Sequence, residues 1–402
     1  MSRLNAGVIF CAAAMAVLPV FAQQPAQNSN YQAQLAQQAA AHPILAIGAP
    51  APDFNLKGAD GKMHTLAEYK SSLVLAVVFI CNHCPASQLY ESRILKIAAD
   101  YAGKGVQVIA IQPNGPQAMS PRELNFTDLD DSYASMVIHA KYRNFTFPYL
   151  YDGDTQAVVE KFGPRVTPHI FIFDKDRNLR FQGRIDDSIR ESSVKSQDTR
   201  NALDALLAGT PVPVDHTPVF GCSTKWNSQT QNREKELAQW AADPVKLEPA
   251  TADDIRKLRA NTTGKTLMVT FWATWCGPCV EEFDDILNTY LWYRSRDFEL
   301  VTVSADAPDS RASVQKFLEQ HHSAVRNLQF ASEDVYAMQA AFDKNFDSGI
   351  PFTMVIAPDG KVIYQEAGLI SILPMRRAIL AALPDNNMFP GNPSYWAQPS
   401  DH

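Results

Sequence analysis

Two pairs of cysteines are each separated by only two residues, Cys81-Asn82-His83-Cys84 and Cys276-Gly277-Pro278-Cys279. A cysteine thiolate attacks a disulfide, and a nearby second thiol resolves the mixed disulfide that forms. A CxxC pair can also bind zinc, but a zinc site usually needs a second Cys or His pair, and neither pair has an obvious complement. We therefore predict that both pairs cycle between dithiol and disulfide.

Each pair lies between an apolar strand and an amphipathic helix. Residues 73–80 (LVLAVVFI) and 266–273 (TLMVTFWA) are typical of strands buried on both faces, and helical patterns follow the cysteines. Free N–H groups and the positive end of the dipole at a helix N-terminus stabilise a thiolate. We therefore expect Cys81 and Cys276 to be the nucleophiles, with lowered pKa values, and Cys84 and Cys279 to be the buried resolving partners.

The order of elements around these pairs occurs twice along the chain. Each half has the order strand, CxxC, helix, strand, helix, X-Pro, strand, turn, strand and helix, which indicates a tandem duplication. Strands that alternate with helices predict an α/β fold. Because 402 residues are too many for one ordinary core, we predict two domains, residues 44–208 and 251–384, joined by a linker over residues 209–250.

Both predicted domains resemble thioredoxin-fold domains. Residues 266–384, with the segment FWATWCGPC at 271–279, resemble exported reductases of the TlpA/ResA type, and residues 44–208, with APDF at 51–54 and the CNHC pair, resemble the redoxin (AhpC/TSA-like) branch. The resemblance implies a central mixed sheet flanked by helices in each domain. It also implies a thiol-disulfide oxidoreductase with redox-active disulfides Cys81–Cys84 and Cys276–Cys279.

In the family that the two halves resemble, a cis proline faces the cysteine pair and helps to hold an incoming chain as an extra strand. Thr167-Pro168 and Ile350-Pro351 precede the strands that would carry this feature, and a cis proline is rare enough to be a deliberate feature. The resemblance implies that Thr167 and Ile350 would touch the substrate backbone. His169 points to the opposite face of its strand by alternation, and we interpret it as structural.

The residues between the cysteines are expected to tune the two redox couples. A protonated His83 would place positive charge beside the Cys81 thiolate, stabilise the reduced form and make the first pair the more oxidising of the two. Gly277 and Pro278 add no charge to the second pair. The alternative is that His83 points to solvent and contributes little.

One feature of thioredoxin is missing from both halves. Thioredoxin has a buried Asp six residues before the first cysteine, where this chain has Leu75 and Thr270. In the second domain, Glu281 or Glu282, or water, would have to transfer the proton. The alternative is that both glutamates lie on a solvated helix face.

Two other functions are weighed against the oxidoreductase. Peroxiredoxins carry a Pro-x-x-x-Thr-x-x-Cys loop, but here Cys81 and Val77 precede Cys84 at the Thr and Pro positions, and Val78 and Val74 precede Cys81. Copper chaperones of the SCO type carry CxxxC and a distal histidine that is not evident here, although soft thiolates bind Cu(I). Thiol peroxidase and copper binding are therefore kept as alternatives, and no cofactor or resident metal is expected.

The N-terminus has the pattern of a signal peptide. Arg3 precedes an apolar stretch at residues 7–21, and Val20-Phe21-Ala22 resembles a cleavage site that would be cut after Ala22. An uncleaved membrane anchor is the alternative. Residues 23–43 form a predicted Gln/Ala-rich tether, and residues 385–402 a tail without periodicity. We expect a periplasmic or secreted protein with no stable membrane insertion once the signal peptide is removed.

The charge and the remaining cysteine bear on partners. The formal net charge is −7 and no long Lys/Arg run occurs, which makes nucleic acid an unsuitable partner. Protein thiols or disulfides and a redox donor protein are the expected partners of this disulfide reductase or relay.

Cys222 in the linker is unpaired in the sequence pattern; it could resolve a disulfide, pair between molecules or be an inert buried thiol, and we expect the inert role.

Overall fold

The computed structural model describes residues 40–344, 346 and 349–384, so the predicted signal peptide, most of the tether and the tail lie outside the described residues. The chain divides into a unit of residues 1–43 and a unit of residues 44–402, and both cysteine pairs lie in the latter. Within the described part of the chain, no helix combines the length and apolarity needed to span a bilayer.

The first domain is built around a seven-stranded mixed sheet with strand order β2-β1-β5-β4-β3-β7-β8. Its strands, together with β6 outside the sheet, are β1 (Asn55–Gly58), β2 (Met63–Thr65), β3 (Val74–Phe79), β4 (Val106–Gln112), β5 (Tyr149–Tyr151), β6 (Val166–Thr167), β7 (His169–Phe173) and β8 (Leu179–Gly183). Its helices are α1 (Pro85–Tyr101), α2 (Tyr133–Tyr142), α3 (Val159–Phe162) and α4 (Asp198–Leu207).

The strand that precedes the first cysteine pair, β3, lies at the centre of this sheet. β3 pairs in parallel with β4 and antiparallel with β7, and all six of its residues are buried. Alternate side chains of β3 enter separate apolar clusters on the two faces of the sheet. The unbroken run of β-branched and apolar residues is therefore explained by burial on both faces, as predicted.

The second domain repeats this plan with a six-stranded sheet in the order β10-β13-β12-β11-β14-β15. From the linker onward, the elements are β9 (Cys222–Ser223), α5 (Gln231–Ala242), β10 (Leu247–Ala250), α6 (Ala252–Ala260), β11 (Thr266–Trp272), α7 (Gly277–Tyr293), β12 (Phe298–Ser304), α8 (Arg311–Gln320), β13 (Arg326–Phe330), α9 (Val335–Phe342), β14 (Phe352–Ile356), β15 (Val362–Ala367) and α10 (Ile372–Ala382). β11 is central and fully buried. The predicted α/β fold with two central mixed sheets is confirmed.

The predicted linker is more ordered than its sequence indicates. Its last residues form β10, which pairs in parallel with β13 as the edge strand of the second sheet, so that sheet begins before residue 251. Pro249 interrupts the strand pattern in the sequence, but an edge strand tolerates a proline. The linker also contains helix α5 and the short strand β9, neither of which the sequence pattern predicts.

The two domains share a continuous interface. Met119 and Leu124, from the loop between β4 and α2, belong to the same apolar cluster as residues of α7. The Tyr293 hydroxyl donates to the Thr127 carbonyl at 2.7 Å. Arg377 Nε donates to Asp128 Oδ2, also at 2.7 Å. The long polar loop therefore joins the domains.

Candidate redox sites

The second cysteine pair has the predicted position at a helix N-terminus. Cys276 is the N-cap of α7, and its Sγ accepts a hydrogen bond from the Cys279 N–H at 3.3 Å. Pro278 lies in the first turn, where the missing N–H of proline costs nothing. Cys276 and Cys279 are joined by a disulfide. In the reduced form, the same N–H groups would stabilise a Cys276 thiolate.

The Ile350-Pro351 peptide bond faces this disulfide and is cis, as predicted. The Ile350 carbonyl oxygen lies 3.7 Å from Cys276 Sγ. The Pro351 carbonyl accepts a hydrogen bond from Gly368 N–H at 2.8 Å, which fixes the neighbouring loop. Among the described residues, no strand pairs with Ile350.

Exposed apolar side chains lie close to the second disulfide in the chain, although Cys276 and Cys279 are themselves buried. Trp275, immediately before Cys276, is 66% exposed, and Val280 and Leu369 are also exposed. Leu369 lies between Gly368, which bonds to Pro351, and Ile370, whose N–H donates to Glu282 Oε2 at 2.7 Å. An exposed apolar rim around a reactive group suits contact with a polypeptide.

Glu282 is buried beneath the second pair rather than solvated. It follows Cys279 by three residues and so lies on the same face of α7. Burial raises the pKa of Glu282 to about 7, and its Oε1 has no hydrogen-bond partner within the described structure. Glu281, by contrast, is exposed. Of the two glutamates predicted as proton carriers, only Glu282 has the required burial.

The first pair differs in where its helix begins. α1 starts at Pro85, and its N-cap is Cys84, whose Sγ accepts from the Ser87 N–H at 3.4 Å. The expectation that Cys81 occupies the helix terminus is therefore wrong. The reason is visible in the sequence, because proline favours the first helical position and here it follows the second cysteine instead of preceding it.

Asp131 holds the turn between the first two cysteines outside the helix. Its Oδ1 accepts hydrogen bonds from the Asn82 and His83 N–H groups at 2.9 and 3.0 Å. Its Oδ2 accepts from Asn114 Nδ2 at 2.7 Å and lies 2.6 Å from His83 Nδ1. One carboxylate therefore fixes both the backbone and the imidazole of the CNHC segment.

His83 forms a buried ion pair and does not point to solvent. Burial alone would lower the pKa of His83, but the charge and hydrogen bond of Asp131 raise it above its ordinary value. For Asp131 the signs are reversed: burial alone would raise its pKa, but the charge and hydrogen bonds of His83 outweigh burial and lower the Asp131 pKa. The ring lies 3.5 Å from Cys81 Sγ, which fits the position that the tuning hypothesis requires, but the thiol whose pKa its charge lowers is Cys84.

The order of acidity of the two thiols in the first pair is the reverse of the expected one. Burial raises the pKa of the Cys81 thiol, and a hydrogen bond with Cys84 and the charge of Asp131 raise it further. Burial also disfavours a Cys84 thiolate, but hydrogen bonds from Cys222 and Cys81, the charge of His83 and the Ser87 N–H together lower the Cys84 pKa well below its ordinary value. The Thr167 carbonyl oxygen lies 3.2 Å from Cys84 Sγ and would repel a thiolate there. The hydrogen bonds and the charge named above favour the thiolate more strongly, so the Cys84 pKa is lowered. Cys84 is therefore the more acidic thiol.

The first site is closed to solvent. Cys81 is 1% exposed and Cys84 is fully buried, and both are free thiols in this structure. The Thr167-Pro168 bond is cis as predicted, and Thr167 Oγ1 lies 3.1 Å from Cys81 Sγ. The backbone of Thr167 is already paired, because β9 of the linker lies antiparallel to β6 with Cys222 opposite Thr167.

The first site does not have the geometry of a metal centre. Ligand atoms of Cys81, His83 and Asp131 lie within 4.8 Å of one another, but His83 Nδ1 and Asp131 Oδ2 are only 2.6 Å apart. Ligands bound to zinc at about 2.0–2.3 Å in a tetrahedron are separated by more than about 3 Å. The His83–Asp131 contact is therefore a hydrogen bond.

The remaining predicted positions have structural surroundings. His169 is buried, Gln182 Oε1 lies 2.8 Å from its Nε2, and burial lowers its pKa to about 4. Leu75 is buried in β3, and Thr270 accepts a hydrogen bond from Thr353 inside the second sheet. The two positions that a peroxidatic proline would need, Val74 and Val77, also lie within β3, where no peroxide-binding loop can form.

Comparison with known families agrees with this duplicated architecture. Residues 47–182 match the AhpC/TSA family, and residues 243–371 match the redoxin family. The chain is a tandem thioredoxin-like protein. The thiol-disulfide oxidoreductase ResA of Bacillus subtilis (strain 168) is 30% identical to it over 108 residues, which make up 27% of this chain and 56% of that protein. This tandem protein thus spans about half the length of that curated relative.

Solved structures that are similar to this tandem protein cover single portions of it. A hypothetical protein from Sinorhizobium meliloti 1021 is 36% identical, over 46% of this chain and 96% of its own, with a TM-score of 0.41. A thiol:disulfide interchange protein of the thioredoxin family from Chlorobium tepidum TLS is 24% identical, over 31% of this chain and 83% of its own, with a TM-score of 0.26.

Sequence reasoning missed two residues of the first site in the tandem protein. Asp131 lies at the end of the acidic run Asp128-Leu129-Asp130-Asp131, which gave no sign of its partner 48 positions earlier. Cys222 was expected to be an inert thiol in the linker, with a disulfide role as an alternative, and its position against the first pair was not predicted. The segment Gly221-Cys222-Ser223 is a turn-like sequence that could have drawn attention to a close backbone approach.

Proposed function

We propose that this protein is a thiol-disulfide oxidoreductase that acts on protein thiols and disulfides through Cys276 and Cys279. The observation that carries the proposal is the second site, where a helix-capping cysteine faces an unpaired cis-proline edge and an exposed apolar rim. The 30% identity to a thiol-disulfide oxidoreductase supports the same class of reaction.

The reaction follows from the positions of the two sulfurs. In the reductive direction, the Cys276 thiolate attacks a substrate disulfide, a Cys276–substrate bond forms, and the first substrate thiolate leaves. The Cys279 thiolate then attacks Cys276, the intramolecular disulfide re-forms, and the second substrate thiolate leaves. The substrate gains two electrons, and a donor protein dithiol restores the Cys276–Cys279 pair by the same exchange in reverse.

The two cysteine pairs are assigned separate reactions in this proposal. Thiol–disulfide exchange requires contact between sulfurs, and helix α7, with 17 residues, is about 25 Å long. Cys276 caps its N-terminal end, whereas the hydrogen bonds of Tyr293 and Arg296 to the first domain are made at its C-terminal end. A relay through both pairs would have to bridge this separation.

We further propose that the protein is exported. The support is the N-terminal sequence alone, in which Arg3, the apolar stretch 7–21 and the cleavage pattern before Gln23 match a signal peptide. Cleavage after Ala22 predicts that the N-terminal sequence of the protein from a periplasmic or culture-medium fraction starts at Gln23. An intact N-terminus in a membrane fraction would instead favour the uncleaved anchor.

Reduction of insulin disulfides by dithiothreitol tests the oxidoreductase proposal. We expect Cys276→Ser to reduce the catalysed rate at least 100-fold, because serine cannot form the mixed disulfide. Cys81→Ser is the matched control, and we expect its rate to stay within twofold of wild type, since Cys81 is sealed from polypeptides. If Cys276→Ser reduces insulin as fast as wild type, the proposed function is wrong.

A further inference from the structure

The linker of this protein lies on the cis-proline edge of its own first domain. Cys222 pairs with Thr167, and Ser223 pairs with Val166, in an antiparallel ladder beside Pro168. Gly221 makes this approach possible: a Cβ at this position would lie 2.1 Å from the Thr167 carbonyl oxygen, and its φ of +151° is one that L side chains rarely adopt. The strand β9 thus takes the position that the second domain leaves open.

Side chains on both sides of Cys222 fasten this strand to the first domain. Phe220 packs against Tyr90 with ring centroids 5.9 Å apart. Thr224 Oγ1 donates to the Pro164 carbonyl at 2.7 Å, and the Lys225 N–H donates to Asn114 Oδ1 at 2.9 Å. Trp226 is buried in the apolar core. The position of Cys222 is therefore defined by the fold and is not an accident of a loose linker.

The strand places Cys222 against the first pair. The Cys222 side chain packs on the buried cluster of Cys81, Cys84 and Ala86, and its proximity to Cys84 contributes to the shifted pKa values of both thiols. Three cysteine side chains therefore meet at the first site, where Cys81 and Cys84 are buried and Cys222 is partly buried. The chain itself supplies a thiol where an external substrate would otherwise have to enter.

We propose that Cys222 is the third redox cysteine of the first site and forms a reversible disulfide with Cys84. The proposal rests on the proposed oxidoreductase function, in that a small disulfide such as oxidised glutathione, admitted when the site opens transiently, first oxidises Cys81 and Cys84 and leaves as two thiols. Cys222 then loses its proton as its sulfur attacks Cys84: the Cys84–Cys222 bond forms, the Cys81–Cys84 bond breaks, and Cys81 takes up the proton that Cys222 released. No electrons are gained or lost in this second step.

Two polar groups lie close to Cys81 Sγ, the sulfur that leaves in this step. The protonated His83 ring lies 3.5 Å from Cys81 Sγ, and Thr167 Oγ1 lies 3.1 Å from the same atom. The Thr167 hydroxyl can donate to the departing Cys81 sulfur, whereas the His83 Nδ1–H is bonded to Asp131 at 2.6 Å, so the ring contributes its positive charge and not a hydrogen bond. The exchange returns Cys81 to a thiol while the site keeps its two oxidising equivalents.

Disulfide mapping in the full chain tests this proposal. A Cys276→Ser/Cys279→Ser chain is equilibrated with oxidised glutathione, quenched with acid, alkylated in denaturant and mapped by mass spectrometry. We expect Cys84–Cys222 to make up at least a tenth of the first-site disulfide. A further Cys81→Ser substitution should retain this bond, whereas Cys84→Ser should lower the yield of any Cys222 disulfide within the chain at least tenfold.

Glycine variants separate the position of the strand from the presence of the thiol. Gly221→Ala should lower the Cys84–Cys222 yield at least tenfold and leave Cys81–Cys84 in place, because the new Cβ displaces β9 from Thr167. Gly103→Ala is the matched control, since a Cβ there meets nothing within 4 Å, and its yield should equal that of the parent. Thermal unfolding confirms that each variant is folded.

Two outcomes would overturn the third-cysteine proposal. One is a fully alkylated Cys222 in a chain whose Cys81–Cys84 disulfide has formed. The other is a stoichiometric copper or zinc ion in the anaerobically purified chain that is lost in Cys222→Ser, which would make the three thiols a metal site. Neither outcome changes the insulin assay of Cys276, so failure of this proposal and failure of the proposed function are distinguishable.

Discussion

At the scale of single residues, the two CxxC pairs are less alike than their spacing indicates. One proline accounts for much of the difference, because Pro278 lies inside the second pair and Pro85 follows the first. As a result, the helix is capped by the first cysteine in one domain and by the second cysteine in the other. A buried carboxyl group accompanies each site. Asp131 is paired with His83, whereas one of the two carboxyl oxygens of Glu282 has no hydrogen-bond partner in the described structure.

Replacement of Asp131 tests the buried ion pair. Asp131→Asn should reduce the free energy of unfolding by about 3 kcal/mol near pH 5.5, because loss of one partner leaves His83 buried and uncompensated. The His83 pKa is raised, so its contribution is complete below pH 6.5 and disappears as pH rises through the folded-state pKa. The Asp131 pKa is lowered, so its contribution is present above pH 3.8 and is lost in acid.

Urea denaturation of wild type and Asp131→Asn at several pH values measures this effect. We expect the difference between the two proteins to be largest between about pH 4 and 6.5 and to shrink above that range. Asp130→Asn is the matched control, because Asp130 is the neighbouring acid and its Oδ1 accepts from Ser132, not from His83. A difference that does not vary with pH would show that the pair is not ionised.

The raised pKa of Glu282 predicts a second loss of stability as pH rises. Its folded-state pKa of about 7 lies above the ordinary value of 4.5, so the folded protein binds the proton more tightly than the unfolded chain. Stability should therefore fall as pH rises from 4.5 to 7. Glu282→Gln should remove this part of the slope and stabilise the protein at pH 8 by on the order of 1 kcal/mol, after allowance for solvent screening.

The same substitution at Glu281 is the control for this prediction, since Glu281 is exposed on the same helix. Free energies of unfolding from urea titrations at pH 5 and pH 8 are compared for wild type and both variants. Equal slopes for wild type and Glu282→Gln between these two pH values would contradict a raised pKa for Glu282.

At the scale of elements, the short strand β9 decides which site is open. Both domains present a cis-proline edge beside a cysteine pair, but only the first has that edge covered by the linker. The cover depends on anchors beyond the strand itself, chiefly the buried Trp226. Two residues of strand pairing would be weak alone, and the packing of the flanking side chains supplies the stability.

Truncation of Trp226 should both destabilise the protein and open the first site. Trp226→Ala removes a buried indole, and we expect a loss of about 3–5 kcal/mol together with at least tenfold faster alkylation of Cys81 and Cys84 in the native state. Trp275→Ala is the matched control, since its exposed side chain should cost less than about 0.5 kcal/mol. Unchanged alkylation of the first pair in folded Trp226→Ala would mean that another element seals the site.

At the scale of the whole molecule, the loop between β4 and α2 connects the first site to the second domain. Thr127 and Asp128 bond to Tyr293 and Arg377, and a few residues later Asp131 holds His83. The domain interface and the ion pair are therefore built on one segment. This arrangement favours cooperative unfolding of the two domains.

Tyr293→Phe tests the contribution of this interface. The substitution leaves the Thr127 carbonyl without its donor, and we expect the free energy of unfolding to fall by about 1–2 kcal/mol. Tyr336→Phe is the control, because Tyr336 is 82% exposed. Urea titrations followed by circular dichroism measure both variants, and a loss in Tyr336→Phe equal to that in Tyr293→Phe would show that the interface hydrogen bond contributes nothing specific.

The sequence by itself determined the duplicated architecture and the positions of the two CxxC pairs. Strands buried on both faces show unbroken apolar runs, and amphipathic helices show an apolar period of about 3.6 residues. A CxxC pair spans only four residues, so pairs such as Cys276 and Cys279 can be recognised in a short segment. The α/β fold and the central strands β3 and β11 were predicted on this basis, both cis prolines were predicted from the family resemblance, and all are found.

Only the tertiary structure decided what surrounds the first pair. Asp131 and Cys222 reach Cys81 and Cys84 from 47 or more positions away in the chain, and nothing in a local pattern encodes such distances. The reversal of thiol acidity arises from hydrogen bonds and charges that exist only once these segments pack together. Side-chain chemistry follows local sequence, whereas its electrostatic environment is set by long-range contacts.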